Sequence, residues 1–308
     1  MMVFVLFLVV ILAGVTVRVL EAGMGCPDWP KCYGQLIPPW HESQLPPDYR
    51  ERFAVAGRLA EPFDPLKTWA EYLNRLVSVI AGAGVFLMVG YAWLFLRKYH
   101  RILIYATAIP CLLLIQALIG WQVVATYLAE YMITIHMLFS LGLTLTALLS
   151  WAQTFGLSPR MPQGELKGYY VLGWVSLGAL LIQILLGASL RSIVTREGLA
   201  SAMETQTFII HRSFSWIVLG LWAYYHWRLF REPTRHPFAR RWALLTTAAL
   251  MIQLLIGAFM SYITFSGAAK VAHLWLALFA FNSGFISLYF FKHSVYGGAP
   301  QPLYQLSS

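Results

Sequence analysis

Two histidines lie near the starts of long apolar stretches: His211 in Phe-Ile-Ile-His-Arg-Ser and His273 in Val-Ala-His-Leu-Trp. A neutral imidazole is a good ligand for haem iron, and two imidazoles from facing helices occupy both axial positions. Helix bundles build cofactor sites from inward-facing side chains in this way. The pair therefore predicts a site for a six-coordinate haem. The alternative is that the two polar side chains only hydrogen-bond neighbouring helices within a membrane.

The sequence that carries these histidines occurs twice. A step of 137 positions (273 − 136) connects four matched features: His136 with His273, Asn74 with His211, Arg75 with Arg212, and Gln-Ala-Leu-Ile-Gly at 116–120 with Gln-Leu-Leu-Ile-Gly at 253–257. Such a repeat predicts two copies of one structural unit. Because polar residues that recur in register are harder to explain as incidental packing, the repeat favours the haem interpretation.

The first copy differs from the second at its ligand positions. It has Asn74 where the second copy has His211. Asparagine is a poor ligand for iron, so His136 alone would leave a haem with an open or weakly held face. An open face suits reaction with oxygen, whereas a saturated iron suits electron transfer. The difference predicts a catalytic first half and an electron-holding second half.

Glu71 is a further difference, because its counterpart in the second copy is Phe208. A carboxylate at the membrane is costly and generally has a function, which makes Glu71 the candidate catalytic residue. It shares a helical face with Asn74 and Arg75. In the alternative interpretation, Glu71 only favours the start of its helix and pairs with Arg75. Arg75 and Arg212, each next to a ligand position, are candidate partners for haem propionates.

The composition requires a membrane to act as solvent. Of the 308 residues, 59% are hydrophobic and 11% are charged, which is more apolar surface than a soluble protein of this size can bury. Eight stretches have the roughly 20 apolar residues of a spanning helix, too long and uniform for barrel strands: 3–20, 69–96, 102–127, 130–152, 169–190, 205–229, 242–264 and 269–291. We expect an all-α integral membrane protein whose eight transmembrane helices form two parallel four-helix repeats, residues 1–152 and 153–308.

The basic residues indicate the orientation of the chain. A net charge of +9 could suggest nucleic-acid binding, but the arginines and lysines cluster between the second and third, fourth and fifth, and sixth and seventh stretches. Short basic loops lie in the cytoplasm by the positive-inside rule. We therefore expect a multi-pass protein of the cell inner membrane, in contact with lipid, with both termini cytoplasmic and no nucleic-acid partner. The first stretch lacks a basic n-region and a clear cleavage site, so we expect it to be retained.

The longest loop, about residues 20–68, is expected on the outer face of the first half. It is rich in proline and glycine, which predicts a structured loop rather than a helix. The second copy lacks this insertion, and we expect it to form a lid over the first half. Cys26 and Cys32 lie six positions apart on the oxidising side of the membrane, so a structural or redox-active disulfide is expected, with two free thiols as the alternative.

In combination these motifs resemble those of the heme A synthase family. They are the Cys-Pro-Asp-Trp-Pro-Lys-Cys loop at 26–32, Glu-x-x-x-Arg at 71–75, His-Arg at 211–212 and His-Leu-Trp at 273–275. The resemblance extends over nearly the whole chain. It implies oxidation of the C8 methyl of heme O to a formyl group, by successive hydroxylations and loss of water. The product would be the heme A of cytochrome c oxidase.

The resemblance also implies roles for individual residues. Heme b would be held by His211 and His273 in the second half, and heme O would bind in the first half. Glu71 would act in catalysis, and Cys26 and Cys32 would match the family's cysteine pair. A homo-oligomer, by resemblance a trimer, is also implied, with heme O synthase and an electron donor as partners.

Two features depart from the family's pattern. Relatives usually have histidine at the position of Asn74, so heme O would have His136 as its only matching histidine ligand here. Some relatives have a second cysteine pair in the outer loop between the fifth and sixth helices. The corresponding residues 192–198 of this chain, which we expect to form that loop, contain no cysteine.

Two other classes of function are compatible with the sequence. A b-type cytochrome that only carries electrons explains His211 and His273, but it gives no reason for Glu71 or for the enlarged loop. A haem transporter or chaperone built on repeats would release unchanged haem and would tolerate loss of Glu71. Either protein would leave heme O chemically unaltered, which distinguishes both from an oxidative enzyme.

Overall fold

The structure is a computed structural model that describes residues 1–155, 165–231 and 237–293. Within those residues the chain is helical and contains no β-strand, only two isolated bridges that lie between residues 32 and 58. Seven helices in the described part of the chain are long and apolar enough to cross a membrane. The predicted fold class, an all-α integral membrane protein, is confirmed.

The long helices correspond to the eight predicted stretches. In chain order the helices are α1 (Met2–Val19), α2 (Tyr49–Arg52), α3 (Pro65–Phe95), α4 (His100–Ala125), α5 (Glu130–Ala152), α6 (Glu165–Met203), α7 (Gln206–Arg231), α8 (Pro237–Tyr262) and α9 (Gly267–His293). The helix α2 is a single turn, and it lies in the connection between α1 and α3. We call residues 20–64 of that connection the cysteine loop.

The start of α3 is set by a cap that the apolar pattern does not reveal. Asp64 accepts hydrogen bonds from the backbone N–H groups of Leu66 at 2.8 Å and Lys67 at 3.2 Å. Pro65 occupies the first helical position, where its fixed φ and missing N–H cost nothing. The helix therefore begins four residues before the predicted apolar stretch.

The structure corrects the expected loop at residues 192–198. The helix α6 continues past residue 190 and includes nearly all of that segment, because residues 191–197 contain neither proline nor glycine. Gly198 has a φ of +84°, a conformation that glycine adopts without steric cost, and it breaks the helical run with a kink. Only residues 204 and 205 then separate α6 from α7.

The helix α7 is the one long helix outside the seven apolar ones in the described residues. It matches the predicted stretch 205–229 in position. Its 26 residues carry two histidines and three arginines, namely His211, Arg212, His226, Arg228 and Arg231. These polar side chains, which include the candidate ligand His211, lower the mean hydropathy of α7 below that of the other long helices.

Close approaches between helices divide the chain into two compact units, Met1–Ser150 and Trp151–Ser308. In the second unit α6 packs on α7, α7 on α8, α8 on α9, and α9 on α6, so the four helices form a closed ring. In the first unit α1 packs on α3 and α3 packs on α4. The helices α4 and α5 also touch, through Gln116 and His136.

Small and hydroxyl-bearing residues bring α8 and α9 together. The hydroxyls of Thr246 and Ser283 lie 2.9 Å apart, and Ser287 donates to the carbonyl of Ala239 at 2.8 Å. Contacts of this kind are typical of helix packing in membranes. The buried residues of α8 end at position 250 and those of α9 begin at position 277. The opposite end of both helices, which carries His273, is more open.

The cysteine loop has a small aromatic core of its own. Cys26 and Cys32 form a disulfide, which confirms the expected pairing, and both are buried with Tyr33 and Tyr49. The ring of Tyr33 makes an edge contact with Phe53 at 5.4 Å between centroids. Burial raises the pKa of the Tyr33 phenol. The loop is thus a folded element and not a flexible connection, as the sequence predicts.

The cysteine loop also contacts the turn between α4 and α5. The Tyr127 hydroxyl donates to Glu61 at 3.3 Å, and the guanidinium of Arg58 lies 4.7 Å from the centre of the Tyr127 ring. Gly23 lies against the side chain of Leu128 in the same turn. These contacts hold the loop across the end of the first unit where α3 begins and α4 ends.

Candidate functional site

The four predicted ligand positions occupy equivalent places in the structure. Each lies within the first three turns of its helix and faces a glycine on the preceding long helix. The pairs are Asn74 with Gly14, His136 with Gly120, His211 with Gly187, and His273 with Gly257. The repeat in the sequence is therefore also a repeat of side-chain neighbours.

His211 and His273 lie in the same unit, close enough for the charge on one imidazole to affect the other. Both are only partly buried, although they belong to helices of a closed ring. His273 lies at the end of α9 that precedes its first buried residue, Ala277. The structure thus places the two predicted ligands within electrostatic reach of each other, with neither ring fully buried.

The tautomer of His273 suits a metal ligand. Its Nδ1 lies 3.1 Å from the backbone carbonyl oxygen of Gln253. A carbonyl can only accept a hydrogen bond, so this contact places the proton on Nδ1. Nε2 is then the nitrogen with a free lone pair, which is the usual arrangement in a histidine that binds iron or another metal.

Two glutamines contact the other imidazoles, and neither was among the residues predicted to form the site. Gln183 Nε2 donates to the backbone carbonyl of His211 at 2.9 Å and lies 3.1 Å from its Nδ1. Gln116 Nε2 lies 3.0 Å from Nε2 of His136 and 3.2 Å from its carbonyl oxygen. The available signal was the repeat itself, which includes a glutamine four residues before each of the three glycines that face a histidine.

Asn74 occupies the remaining ligand position. Its Oδ1 is buried, lies beside Gly14 and has no hydrogen-bond partner among the described residues. Ser78 donates to the backbone carbonyl of Asn74 at 2.9 Å, which does not satisfy the side chain. An unpartnered buried amide oxygen is costly, and this one is able to accept a hydrogen bond from a bound molecule.

Glu71 is buried, with 4% of its surface exposed. Its Oε2 accepts a hydrogen bond from the backbone N–H of Cys26 at 2.8 Å, and its Oε1 pairs with Arg75. The carboxylate is therefore tied directly to the disulfide of the cysteine loop. The alternative interpretation of Glu71 predicts its ion pair with Arg75, and that pair is present. The hydrogen bond from Cys26 is a second contact, which that interpretation does not predict.

Arg75 holds the cysteine loop through its backbone. Its Nη1 donates to the carbonyls of Asp28 at 2.7 Å and Lys31 at 2.8 Å, and its Nη2 donates to Cys26 at 2.8 Å and to Glu71. Two terminal nitrogens carry four N–H groups, so all four are engaged. In this arrangement Arg75 anchors the loop, and only its Nε is left for a propionate.

Arg212 is exposed in the second unit. Within the described residues it donates one hydrogen bond, to the Tyr262 hydroxyl at 2.9 Å, and its guanidinium lies 5.8 Å from the centre of the Phe208 ring. Phe208 is the counterpart of Glu71, so Arg212 has no carboxylate partner at that position. Its remaining donors suit a carboxylate from a bound molecule.

The donor sets in the two units fit haem in different ways. The second unit offers two imidazoles at an open end, with an exposed arginine next to one of them, and this set fits a haem held from both faces. The first unit offers one imidazole, His136, and has the amide of Asn74 at the other repeat position. That set fits a haem held from one face, with the buried carboxylate of Glu71 in the same unit.

These features define a class: a multi-pass helical membrane protein with repeated histidine sites near one end of its helices. Comparison with known families gives a more specific result. The family model described as COX15-CtaA, cytochrome oxidase assembly protein, matches residues 1–283. The chain belongs to this family, because the match includes both units and every predicted ligand position.

Two curated relatives are similar to parts of the chain. A heme A synthase of Shewanella oneidensis is 29% identical over 181 residues, which is 58% of this chain and 52% of the relative. A heme A synthase of Bartonella quintana is 26% identical over 148 residues, which is 43% of this chain and 41% of the relative. The matched segments thus span about half of each relative or less.

Proposed function

We propose that the protein is a heme A synthase, an oxidoreductase that converts the C8 methyl of heme O to a formyl group with heme b as its resident cofactor. The observation that carries the proposal is the difference between the two units. The second has two imidazoles within electrostatic reach of each other, and the first has one imidazole and a buried carboxylate. The family and the two similar heme A synthases support this assignment.

Heme b would bind in the second half, residues 153–308. His211 and His273 would hold it from both faces, and Arg212 would bind a propionate. When bound, heme b would supply electron transfer, which a fully ligated iron favours. Nδ1–H of His273 would donate to the Gln253 carbonyl, which would leave the lone pair of Nε2 for the cofactor.

Heme O would bind as substrate in the first half, residues 1–152, with His136 as its histidine ligand. Asn74 would face the other side of the substrate, where its unpartnered Oδ1 can accept a hydrogen bond but is a poor ligand. Such a site leaves one face of the substrate accessible to oxygen. The cysteine loop would act as a lid that excludes bulk water during the reaction.

Glu71 would move protons in the reaction. Two hydroxylations of the C8 methyl carbon followed by loss of water give the formyl group, and the last step requires a proton to leave one hydroxyl and another to reach the departing one. A positioned carboxylate supplies such transfers, typically worth about 10²–10⁴-fold in rate. Cys26 N–H and Arg75 hold the carboxylate in place for this role.

The remaining assignments follow from the same proposal. The protein would lie in the cell inner membrane with both termini cytoplasmic and the cysteine loop outside, where the Cys26–Cys32 disulfide suits an oxidising compartment. Heme O synthase would supply the substrate, and a separate donor would supply electrons. The protein would function as a homo-oligomer, a trimer by resemblance to its family.

The test is extraction of haem from the purified membrane protein, produced in a host that contains heme O synthase, followed by chromatography and mass spectrometry. Heme A or its hydroxylated precursor, together with heme b, is the expected result. Heme b alone with heme O untouched would overturn the proposal in favour of the electron-carrying cytochrome. That second candidate draws support from Glu71 and Arg75, which already have partners within the protein.

A further inference from the structure

Three helices carry a glutamine four residues before the glycine that faces an imidazole. The pairs are Gln116 and Gly120 in α4, Gln183 and Gly187 in α6, and Gln253 and Gly257 in α8. Residues four apart lie on the same face of a helix. Each pair therefore places a glutamine and a residue without a side chain on the helix face next to one histidine. Of these groups, only the Gln253 carbonyl has a role in the function proposed above.

The glycines let the neighbouring helix touch the imidazole. A methyl group added at Gly187 would lie 3.1 Å from Cε1 of His211, and one added at either of the other two glycines would lie 3.3 Å from Cε1 of its own histidine. Contacts this short force the ring to move by a few tenths of an ångström. By contrast, a methyl group added at Gly178 in α6 would have no described atom within 4 Å.

The glutamines leave a hydrogen-bond acceptor unused. The Oε1 atoms of Gln116, Gln183 and Gln253 are all buried and have no partner among the described residues. A buried acceptor without a donor costs about 1–3 kcal/mol. In Gln183 the unpartnered oxygen belongs to the amide that contacts Nδ1 of His211, so a donor at that nitrogen could satisfy it.

Iron ligation would create that donor. An imidazole that binds iron through Nε2 carries its proton on Nδ1, and this Nδ1–H requires an acceptor. Gln183 Nε2 lies 3.1 Å from Nδ1 of His211 and also donates to the His211 carbonyl at 2.9 Å, so rotation of the amide would bring the unpartnered oxygen to Nδ1 in exchange for that second hydrogen bond. His273 has its acceptor in place in the carbonyl of Gln253.

The ligand position without an imidazole also lacks the glutamine. Four residues before Gly14 the chain has Val10, and Gly14 faces Asn74, whose Oδ1 would lie 3.6 Å from a methyl group added at the glycine. The glycine is retained there although no ring has to be accommodated. Imidazole and glutamine thus occur together on three helix pairs and are absent together from the fourth.

We propose that Gln-x-x-x-Gly positions the haem-ligating histidines, with Gln183 accepting the Nδ1 proton of His211 and Gly187 setting the orientation of the ring. This inference rests on the proposed function, because it requires haem b at His211 and His273. An acceptor on Nδ1–H makes the imidazole a more electron-rich ligand, which stabilises ferric iron and lowers the reduction potential of the haem.

The experiment uses the full-length protein purified with its haem, as Gln183→Leu, Gln183→Glu and Gly187→Ala variants. Gly178→Ala is the matched control on the same helix. The midpoint potential of heme b and the electron paramagnetic resonance of its ferric form are measured. We expect a higher potential for Gln183→Leu, a lower one for Gln183→Glu, altered g values for Gly187→Ala and no change for Gly178→Ala.

The outcomes separate this inference from the proposed function. A wild-type protein without six-coordinate heme b overturns both. If wild type has that haem, equal potentials and g values in all four variants overturn the positioning role alone. Shifts of opposite sign for leucine and glutamate at position 183 support it, because a purely structural disturbance would move both in one direction. Haem loss in Gln183→Leu with retention in Gln183→Glu supports it as well, because glutamate keeps the acceptor.

Discussion

Arg75 and Arg212 stand at the same position of the repeat and make different contacts. Arg75 donates to Glu71 and to three backbone carbonyls of the cysteine loop, whereas Arg212 is exposed and donates to Tyr262. Each follows a ligand position on a helix of similar length. The difference therefore comes from the connections that precede the helices, which are the long cysteine loop in one unit and residues 204–205 in the other.

This comparison shows how an insertion changes the function of a repeated residue. In the second unit the position of Glu71 holds Phe208, and Arg212 is exposed among the described residues, so its charge is available to a ligand. In the first unit the loop brings carbonyls and an N–H group to the same place, and the arginine and glutamate become its anchors. The same helix pattern thus supports a covered site and an uncovered one.

The largest expected effect separates the two haem sites. His211→Ala or His273→Ala removes an axial ligand, so we expect complete loss of the six-coordinate heme b spectrum. His136→Ala should leave that spectrum intact and abolish retention of heme O. Optical spectra of the reduced proteins and analysis of extracted haem measure both. A loss of heme b caused by His136→Ala would contradict the assignment of one haem to each unit.

The next effect concerns the carboxylate that only the first unit has. Glu71→Ala should lower the conversion of heme O by about 10²–10⁴-fold, because a proton-transfer group is lost. Heme b should be retained, because His211 and His273 are unchanged. The ratio of heme A to heme O in extracts measures the effect, with Phe208→Ala as the matched control in the second unit. Full conversion by Glu71→Ala would show that this residue is only structural.

The two arginines should differ in their effect on stability. Arg75→Ala leaves the buried Glu71 without its charged partner and releases three carbonyls, for an expected cost of about 3–5 kcal/mol. Arg212→Ala removes an exposed side chain and should cost about 1 kcal/mol or less. Thermal unfolding in detergent and the rate of reduction of the Cys26–Cys32 disulfide compare the two variants. Equal destabilisation would argue against an anchoring role for Arg75.

The smallest effect is a pH dependence confined to the first unit. Burial raises the pKa of Tyr33, so the folded loop favours the neutral phenol. Its contribution to stability is complete below the ordinary value of about 10 and is lost as the pH rises through the higher folded value. We expect alkaline pH to loosen the loop and to leave the heme b spectrum unchanged. Tyrosinate absorbance and the rate of disulfide reduction measure the change in the loop. Tyr33→Phe should resist this change, and Tyr33 titrating at its ordinary pKa would contradict it.

Several features of the fold were readable without coordinates. The eight apolar stretches, the two copies and the equivalent places of His136, His211 and His273 follow from periodicity, since a bilayer constrains helix length and position strongly. The loop at 192–198 was predicted wrongly. The helix continues there because residues 191–197 contain neither proline nor glycine, and because it packs within the second unit. Composition alone does not decide between helix and loop.

The sequence by itself determined the helical membrane fold, the duplication and the residue types at the candidate site, because these depend on local composition and spacing. Only the tertiary structure decided which partners those residues have. In the folded protein Glu71 accepts a hydrogen bond from the Cys26 N–H, and Arg75 donates to carbonyls of the cysteine loop. The amide of Gln183 lies against the ring of His211. These contacts join residues 28 to 49 positions apart, and such pairings arise from chain packing, which local patterns do not encode.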